Sequence, residues 1–308
     1  MSGTRDRYRG SLLGLACGDA VGTTVEFSPR GSFAQVTDMT GGGPFRLKAG
    51  QWTDDTSMAL CLAESLLTKG AFDPQDQINR YRNWWQWGYL SSTGSCFDIG
   101  MTVQDALSRY AVTGEPYSGS TNPRSAGNGS LMRLAPAVLF AYPDRAAMLR
   151  HAADSSRTTH GAPEAVQACQ LFAAILGAAL DGLPKSALLA NAGFVPGEPK
   201  LAAIAGGAFL GKADRDIQGT GYAVDALEAA LWCFFHTDSF EAAVLRAANL
   251  GDDADTTAAI AGQIAGAWYG VDGIPARWLE RISMRADIDD MACRLFDRFH
   301  DANRERVA

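Results

Sequence analysis

Apolar residues along most of this chain recur three and four positions apart, the spacing that gathers them on one side of a helix. In SMALCLAESLL (57–67), Met58, Cys61, Leu62, Ser65 and Leu66 share a face, which predicts an amphipathic helix beginning near Thr56. The stretches 163–180, 222–235 and 240–250 keep the same rhythm, and their small residues would let helices approach closely. Alternating β-branched runs, the mark of strands, are scarce. Glycine and proline interrupt the pattern at 40–44 (TGGGP), 113–130, 195–200 and 269–275, which predicts loops there. None of these breaks is a long linker, and there is no fixed-period repeat. The pattern predicts one compact all-α domain over residues 1–308, with functional loops between helix ends. A division near residue 120 is the alternative that the 113–130 loop leaves.

Composition narrows the function classes. The chain has 308 residues, 47% hydrophobic and 20% charged, ample for a large core. A net charge of -7 argues against nucleic acid as a partner, because phosphate neutralisation needs an excess of Lys and Arg. The six cysteines, at 17, 61, 96, 169, 233 and 293, form no CxxC and sit mostly in apolar stretches. They read as buried small hydrophobes rather than as a zinc site or a disulfide framework. The apolar run near the N-terminus is broken by Gly14, Gly18 and Asp19, so it does not read as a signal peptide. No stretch approaches the ~20 apolar residues of a membrane helix. The expectation is a cytoplasmic protein without a membrane partner.

Two acidic clusters carry the chemistry. WTDDT places Thr53, Asp54 and Asp55 just before a helix, where capping and the helix dipole alone would account for them. GDDADTT then places Asp252, Asp253, Asp255, Thr256 and Thr257 ahead of another small-residue helix. Three acids within four residues exceed what a cap requires. If the two helix starts face one another, their carboxylates repel unless cations lie between them. Asp and Thr oxygens without nearby His or Cys suit Mg²⁺, Mn²⁺ or Ca²⁺ better than zinc, and neither segment has EF-hand spacing. Glu26, at the end of GDAVGTTVE, is a surface acid if taken alone and a metal-site acid or base beside the other clusters.

These segments, together with FDIG (97–100), AGNGSLMRLAP (126–136), SSRTTHGAPEAV (155–166) and GTGYAVDALEAALW (219–232), resemble the ADP-ribosylglycohydrolase family over almost the whole chain. The resemblance implies an orthogonal helical bundle holding two divalent cations, Mg²⁺ or Mn²⁺. It implies Thr53, Asp54, Asp55, Asp253, Asp255 and Thr256 as their ligands, with Glu26 beside the metal pair. Asp252 stands where the family often has Gly and is not assigned. The resemblance also implies that Asn128, Gly129, Ser130 and Met132 belong to a loop cradling ribose and diphosphate. In that loop Gly127 and Gly129 would let backbone amides approach an anion. His160 matches a histidine near the ligand. Gly221 and Tyr222 would meet the nucleotide, although Tyr222 is equally placed for the core.

Asp98 is either a helix cap or a substrate contact. Family members resembling the nitrogenase-regulating enzymes and the arginine-specific hydrolases carry an Asp here, suited to accept two parallel hydrogen bonds from a guanidinium. The resemblance therefore implies cleavage of the N-glycosidic bond of ADP-ribosyl-arginine on a modified protein, releasing ADP-ribose. Glu26, Asp55, Asp98 and Asp253 would be the catalytic acids, with the identity of the base left open. A hydrolase of ADP-ribosyl-serine or of small ADP-ribose derivatives, or an inactive ADP-ribose-binding relative, is the alternative. The expected state is a monomer. The cluster NWWQWGY (83–89) cannot bury Trp84, Trp85 and Trp87 together on one helix face, so it predicts core packing with an exposed edge, or a platform near the site entrance.

Overall fold

The structure is a computed structural model that describes residues 3–307, with side chains through residue 298. Fourteen α-helices account for the order of the described chain, and no named strand occurs among the described residues. In sequence they are α1 (Thr4–Gly22), α2 (Asp54–Lys69), α3 (Pro74–Trp87), α4 (Met101–Thr113), α5 (Ala135–Ala141), α6 (Arg145–Arg157) and α7 (Pro163–Leu180). The second half adds α8 (Lys185–Leu188), α9 (Pro199–Ala205), α10 (Ala223–Phe235), α11 (Phe240–Ala248), α12 (Ala254–Tyr269), α13 (Ala276–Arg281) and α14 (Arg285–Val307). The expected helices at 163–180, 222–235 and 240–250 are α7, α10 and α11, each within two residues of its sequence bounds.

The organising contact is between α1 and α12, which run antiparallel. Gly10, Gly14, Gly18 and Gly22 recur every four residues on α1 and face Gly266, Gly262, Ala258 and Ala254 on α12. A Cβ on those four glycines would lie 2.1–2.4 Å from the facing carbonyl oxygens, so the two backbones touch directly. Only glycine permits that approach. The contact also aligns opposite ends, bringing the C-terminus of α1 to the N-terminus of α12.

Around this pair, one apolar cluster draws side chains from Tyr8 on α1 through Leu295 on α14. Helix α7 is long and apolar enough to cross a membrane by length and composition alone, but 78% of it is buried within the protein and it serves as a core helix. A second cluster gathers Met58, Cys61, Ile78, Tyr81, Trp84, Val103, Leu107, Tyr110 and Met132 from α2, α3, α4 and the loop before α5. The single apolar face expected for α2 is therefore two faces. Met58 and Cys61 serve the second cluster, and Leu62 and Leu66 serve the first. Four of the six cysteines are buried as expected, while Cys96 and Cys293 are half-exposed. Of the tryptophan cluster, Trp84 is buried, Trp85 half-buried and Trp87 76% exposed, as a single helix face requires.

Candidate active site

Three chain segments converge where α1 ends. A short 3₁₀ turn (Thr23–Val25) leaves α1 and delivers Glu26. The next residue, Phe27, has φ +60° and donates its N–H to the Asp252 carbonyl at 2.8 Å, while the Asp252 N–H returns to the Ser28 carbonyl at 2.9 Å. Asp252 itself has φ +54°, a conformation glycine adopts without strain, and its side chain is exposed. Its carboxylate stays outside the cluster. The clamp sets Glu26 against Asp253 and Asp255 at the start of α12.

The second helix start arrives through Asp19, a residue sequence reasoning did not single out. Its buried carboxylate accepts from the Thr53 N–H (2.9 Å), the Thr53 hydroxyl (3.0 Å), the Thr56 N–H (3.0 Å) and the Thr56 hydroxyl (2.6 Å). A charged group deep in a glycine-rich core helix needs partners to be tolerated. That alone was the available signal. These bonds dock the start of α2 on α1, and α2 begins at Asp54 rather than near Thr56.

Capping does not account for the acids. The N-caps Thr53 of α2 and Asp253 of α12 make no side-chain cap bond, and α4 is capped by Gly100, not Asp98. The acids face one another instead. The Thr53 hydroxyl lies 3.3 Å from both Asp55 Oδ2 and Asp255 Oδ2, and the Thr256 hydroxyl 3.4 Å from Asp55 Oδ2. Carboxylate oxygens of Glu26, Asp98 and Asp255 lie within 4.8 Å of one another.

Burial makes this arrangement costly for anions. Desolvation, then the charges of Asp98, Asp253 and Asp55, pushes Glu26 up to about 10. Desolvation and the charge of Asp19 raise Asp98 to about 7, and desolvation raises Asp19 itself to about 6 against its hydrogen bonds. Asp54, Asp55 and Asp255 are driven well up by burial and by neighbouring acids, and Asp253 moves up by burial. Glu26 Oε2 and Asp55 Oδ1 are buried without a hydrogen-bond partner. Orphaned carboxylate oxygens, hydroxyls and no sulfur or imidazole among them make a donor set for a hard divalent cation.

Above the acids opens a cleft of about 420 Å³. Asp54, Asp253, Asp255 and Thr256 line it, whereas Thr53 and Asp55 do not. Glu26, Asp98 and the segment through Val103 also line it, as do Gly127, Asn128, Gly129, Met132, His160 and Gly221. Asp98 holds φ +59° on the loop before α4. The rim residues Phe27 and Met101, 66% and 83% exposed, carried no sequence signal.

Several expected contacts take a different form. Asn128 lines the cleft, but its amide nitrogen donates to Asp253 Oδ2 at 2.9 Å and to the Thr220 carbonyl at 3.3 Å, so it orients an acid. The Ser130 side chain is turned into the protein, where its hydroxyl lies 2.9 Å from the Ser156 hydroxyl and 3.3 Å from Cys169 Sγ. Tyr222 lies in an adjoining depression with Arg124 and Glu164, its hydroxyl accepting from Lys200 at 3.2 Å. His160 is 2% exposed and does not cap α7, whose N-cap is Ala162. None of the three clustered tryptophans lines the cleft.

Comparison with known proteins places this architecture. The ADP-ribosylglycohydrolase family model matches residues 1–305. The chain is 47% identical to the ADP-ribosylarginine hydrolase Tri1 of Pseudomonas putida, over 95% of this chain and 78% of that protein. It is 44% identical to the Tri1 of Serratia proteamaculans, over 94% and 79%. It is 36% identical to the ADP-ribosyl-[dinitrogen reductase] glycohydrolase of Rhodospirillum rubrum, over 92% of each chain. A solved structure described as an ADP-ribosylglycohydrolase-related protein complex superposes with a TM-score of 0.84 at 45% identity, covering 97% of this chain and 99% of that one.

Proposed function

Because the chain belongs to the ADP-ribosylglycohydrolase family, we propose that it hydrolyses the bond between ADP-ribose and modified arginine side chains of proteins, at a site holding two Mg²⁺ or Mn²⁺ ions. The observation that carries this reading is the meeting of the α2 and α12 starts beneath a cleft that also presents Asp98. Thr53, Asp54 and Asp55 would hold the cations from one side, Asp253, Asp255 and Thr256 from the other, with Glu26 between. When bound, such ions neutralise the buried acids, orient ribose hydroxyls and acidify a water.

The reaction adds water across the bond from ribose C1 to the arginine nitrogen. Positive charge develops on the ribose as that bond breaks, as in other glycoside cleavages. Asp98, which lines the cleft, would accept two N–H bonds from the leaving guanidinium and hold its plane. Glu26 Oε2, buried and unpartnered, is the atom from which a proton is given or to which one is taken. Asn128 holds Asp253 in orientation through the 2.9 Å bond to Oδ2. A release assay on defined ADP-ribosyl-arginine and ADP-ribosyl-serine substrates, with and without chelator, tests the reading. Chelator-sensitive release from arginine supports it, and release confined to serine would overturn the arginine assignment.

A further inference from the structure

Arg133 is fully buried, and no carboxylate is among its hydrogen-bond partners in the described residues. Its guanidinium lies over the Tyr81 ring, 4.5 Å from the centroid. One nitrogen donates to the Ser155 carbonyl at 3.3 Å and, at 2.7 Å, to the hydroxyl of Thr159. That hydroxyl in turn lies 2.8 Å from Nδ1 of His160. The His160 backbone is fixed as well: its N–H donates to the Ser156 carbonyl, and its own carbonyl accepts from the Ser156 hydroxyl.

A threonine hydroxyl has one hydrogen to give. With Arg133 donating to Thr159, that hydrogen has an acceptor only if it points at His160 Nδ1. Were Nδ1 protonated instead, the Thr159 hydroxyl would take two donors and leave its own hydrogen unpaired in a fully buried place, a desolvation cost with no return. The ring proton then belongs on Nε2. Nε2 makes no hydrogen bond among the described residues and sits on the cleft wall in the arc of Gly127 and Gly129. A Cβ on Gly129 would lie 2.8 Å from the ring and one on Gly127 3.3 Å from Nε2, so these glycines make room for the imidazole.

We propose that Arg133 and Thr159 are positioning residues that lock His160 as the neutral Nε2–H tautomer, so that it offers the cleft a fixed, uncharged hydrogen-bond donor to a phosphate or ribose oxygen of the ligand. His160 in this arrangement is not a general acid or base. Burial, and then the Arg133 charge, hold its pKa down at about 3, in keeping with a ring that stays neutral. The ligand's identity rests on the function proposed above, whereas the tautomer does not.

The test is two-bond ¹H–¹⁵N correlation of the histidine-labelled full chain, with H160Q used for assignment, alongside calorimetric titration with ADP-ribose. In the wild type, Nε2 should carry the proton and Nδ1 should be bare, unchanged from pH 5 to 8. T159V, which keeps shape and removes the donor, should mix the tautomers and weaken ADP-ribose binding about fivefold, the size of one lost hydrogen bond. T159S should restore both. A protonated Nδ1 or a ring titrating in that pH range in the wild type overturns the proposal, as does T159V with unaltered ring signals and affinity. Wild-type protein that fails to bind ADP-ribose would instead count against the function, leaving the ring signals to decide the tautomer.

Discussion

Replacing Gly18 by Ala tests whether the direct contact of α1 and α12 sets both stability and the site. The added Cβ would lie 2.1 Å from the Ala258 oxygen, 2.6 Å from its carbonyl carbon and 2.9 Å from Ala259 Cα. Ordinary contact begins at 3.4 Å, so the helices must part by about 1.3 Å, and no side chain can rotate to absorb it because every clashing atom is backbone. Overpacking of this kind costs about 3 kcal/mol at the upper end. The gain in helix propensity on losing a mid-helix glycine, about 1 kcal/mol, works against it and is smaller. A net loss of about 2 kcal/mol lowers Tm by roughly 3 °C for a chain of 308 residues, whose unfolding entropy is about 0.65 kcal/mol/K. Separation also moves Glu26 from Asp253 and Asp255, and misplacement by about 1 Å can cost about 100-fold in rate. Thermal melts and ADP-ribose release should be read together, with G211A as control, since nothing lies within 4 Å of a Cβ there. If G18A melts at or above the wild-type temperature and releases ADP-ribose at the wild-type rate, the close contact does not govern the site.

Metal-free protein should be more stable at pH 5 than at pH 8. Glu26, Asp98 and Asp19 stand at about 10, 7 and 6, above unfolded values near 4, so the folded state binds more protons and loses stability as pH rises through that window. Melts with chelator and with Mg²⁺ or Mn²⁺ check this; the cation should remove the slope and raise Tm. D98N should impair release from arginine by a factor on the order of 100, measured by kinetics at saturating Mg²⁺ or Mn²⁺. D38A should lower Tm, because Asp38 accepts from Trp278 Nε1 at 2.5 Å and pairs with Arg277 and Arg281, tying the loop before α2 to α13. Burial pushes Asp38 up, but the Trp278, Arg281 and Arg277 bonds outweigh it and hold it at about 2. Its contribution is present above the unfolded value near 4 and lost as pH falls toward 2, which acid titration followed by circular dichroism should reveal.

Helix content was readable from periodicity because α7, α10 and α11 are alanine-rich and repeat their apolar residues at helical spacing. The start of α2 was not, since it is set by four bonds to Asp19, a partner 34 positions away from Thr53. The acids were visible as composition, but a lone cluster reads equally well as a cap. Only the antiparallel α1–α12 contact makes them neighbours, and a glycine every four residues was its trace. Side-chain direction was the least legible property. Ser130 and Asn128 sit in the expected loop, yet one faces Ser156 and the other Asp253, because a turn fixes where a residue stands and its neighbours decide where it points. Likewise Gly127 and Gly129, expected to admit an anion, also admit the His160 ring.

The distance along the chain between the two halves of the acid cluster has a consequence for biosynthesis. Glu26 and Asp255 stand 229 positions apart, and at a ribosomal rate of about 5–20 residues per second their synthesis is separated by roughly 10–45 seconds. During that interval the growing polypeptide carries Thr53, Asp54, Asp55 and Asp98 with no opposing helix. The glycine stripe of α1 is then uncovered as well. A translating ribosome therefore holds a chain with most of its sequence made and no assembled hydrolase. The last helix to join the acid cluster is the one that completes it.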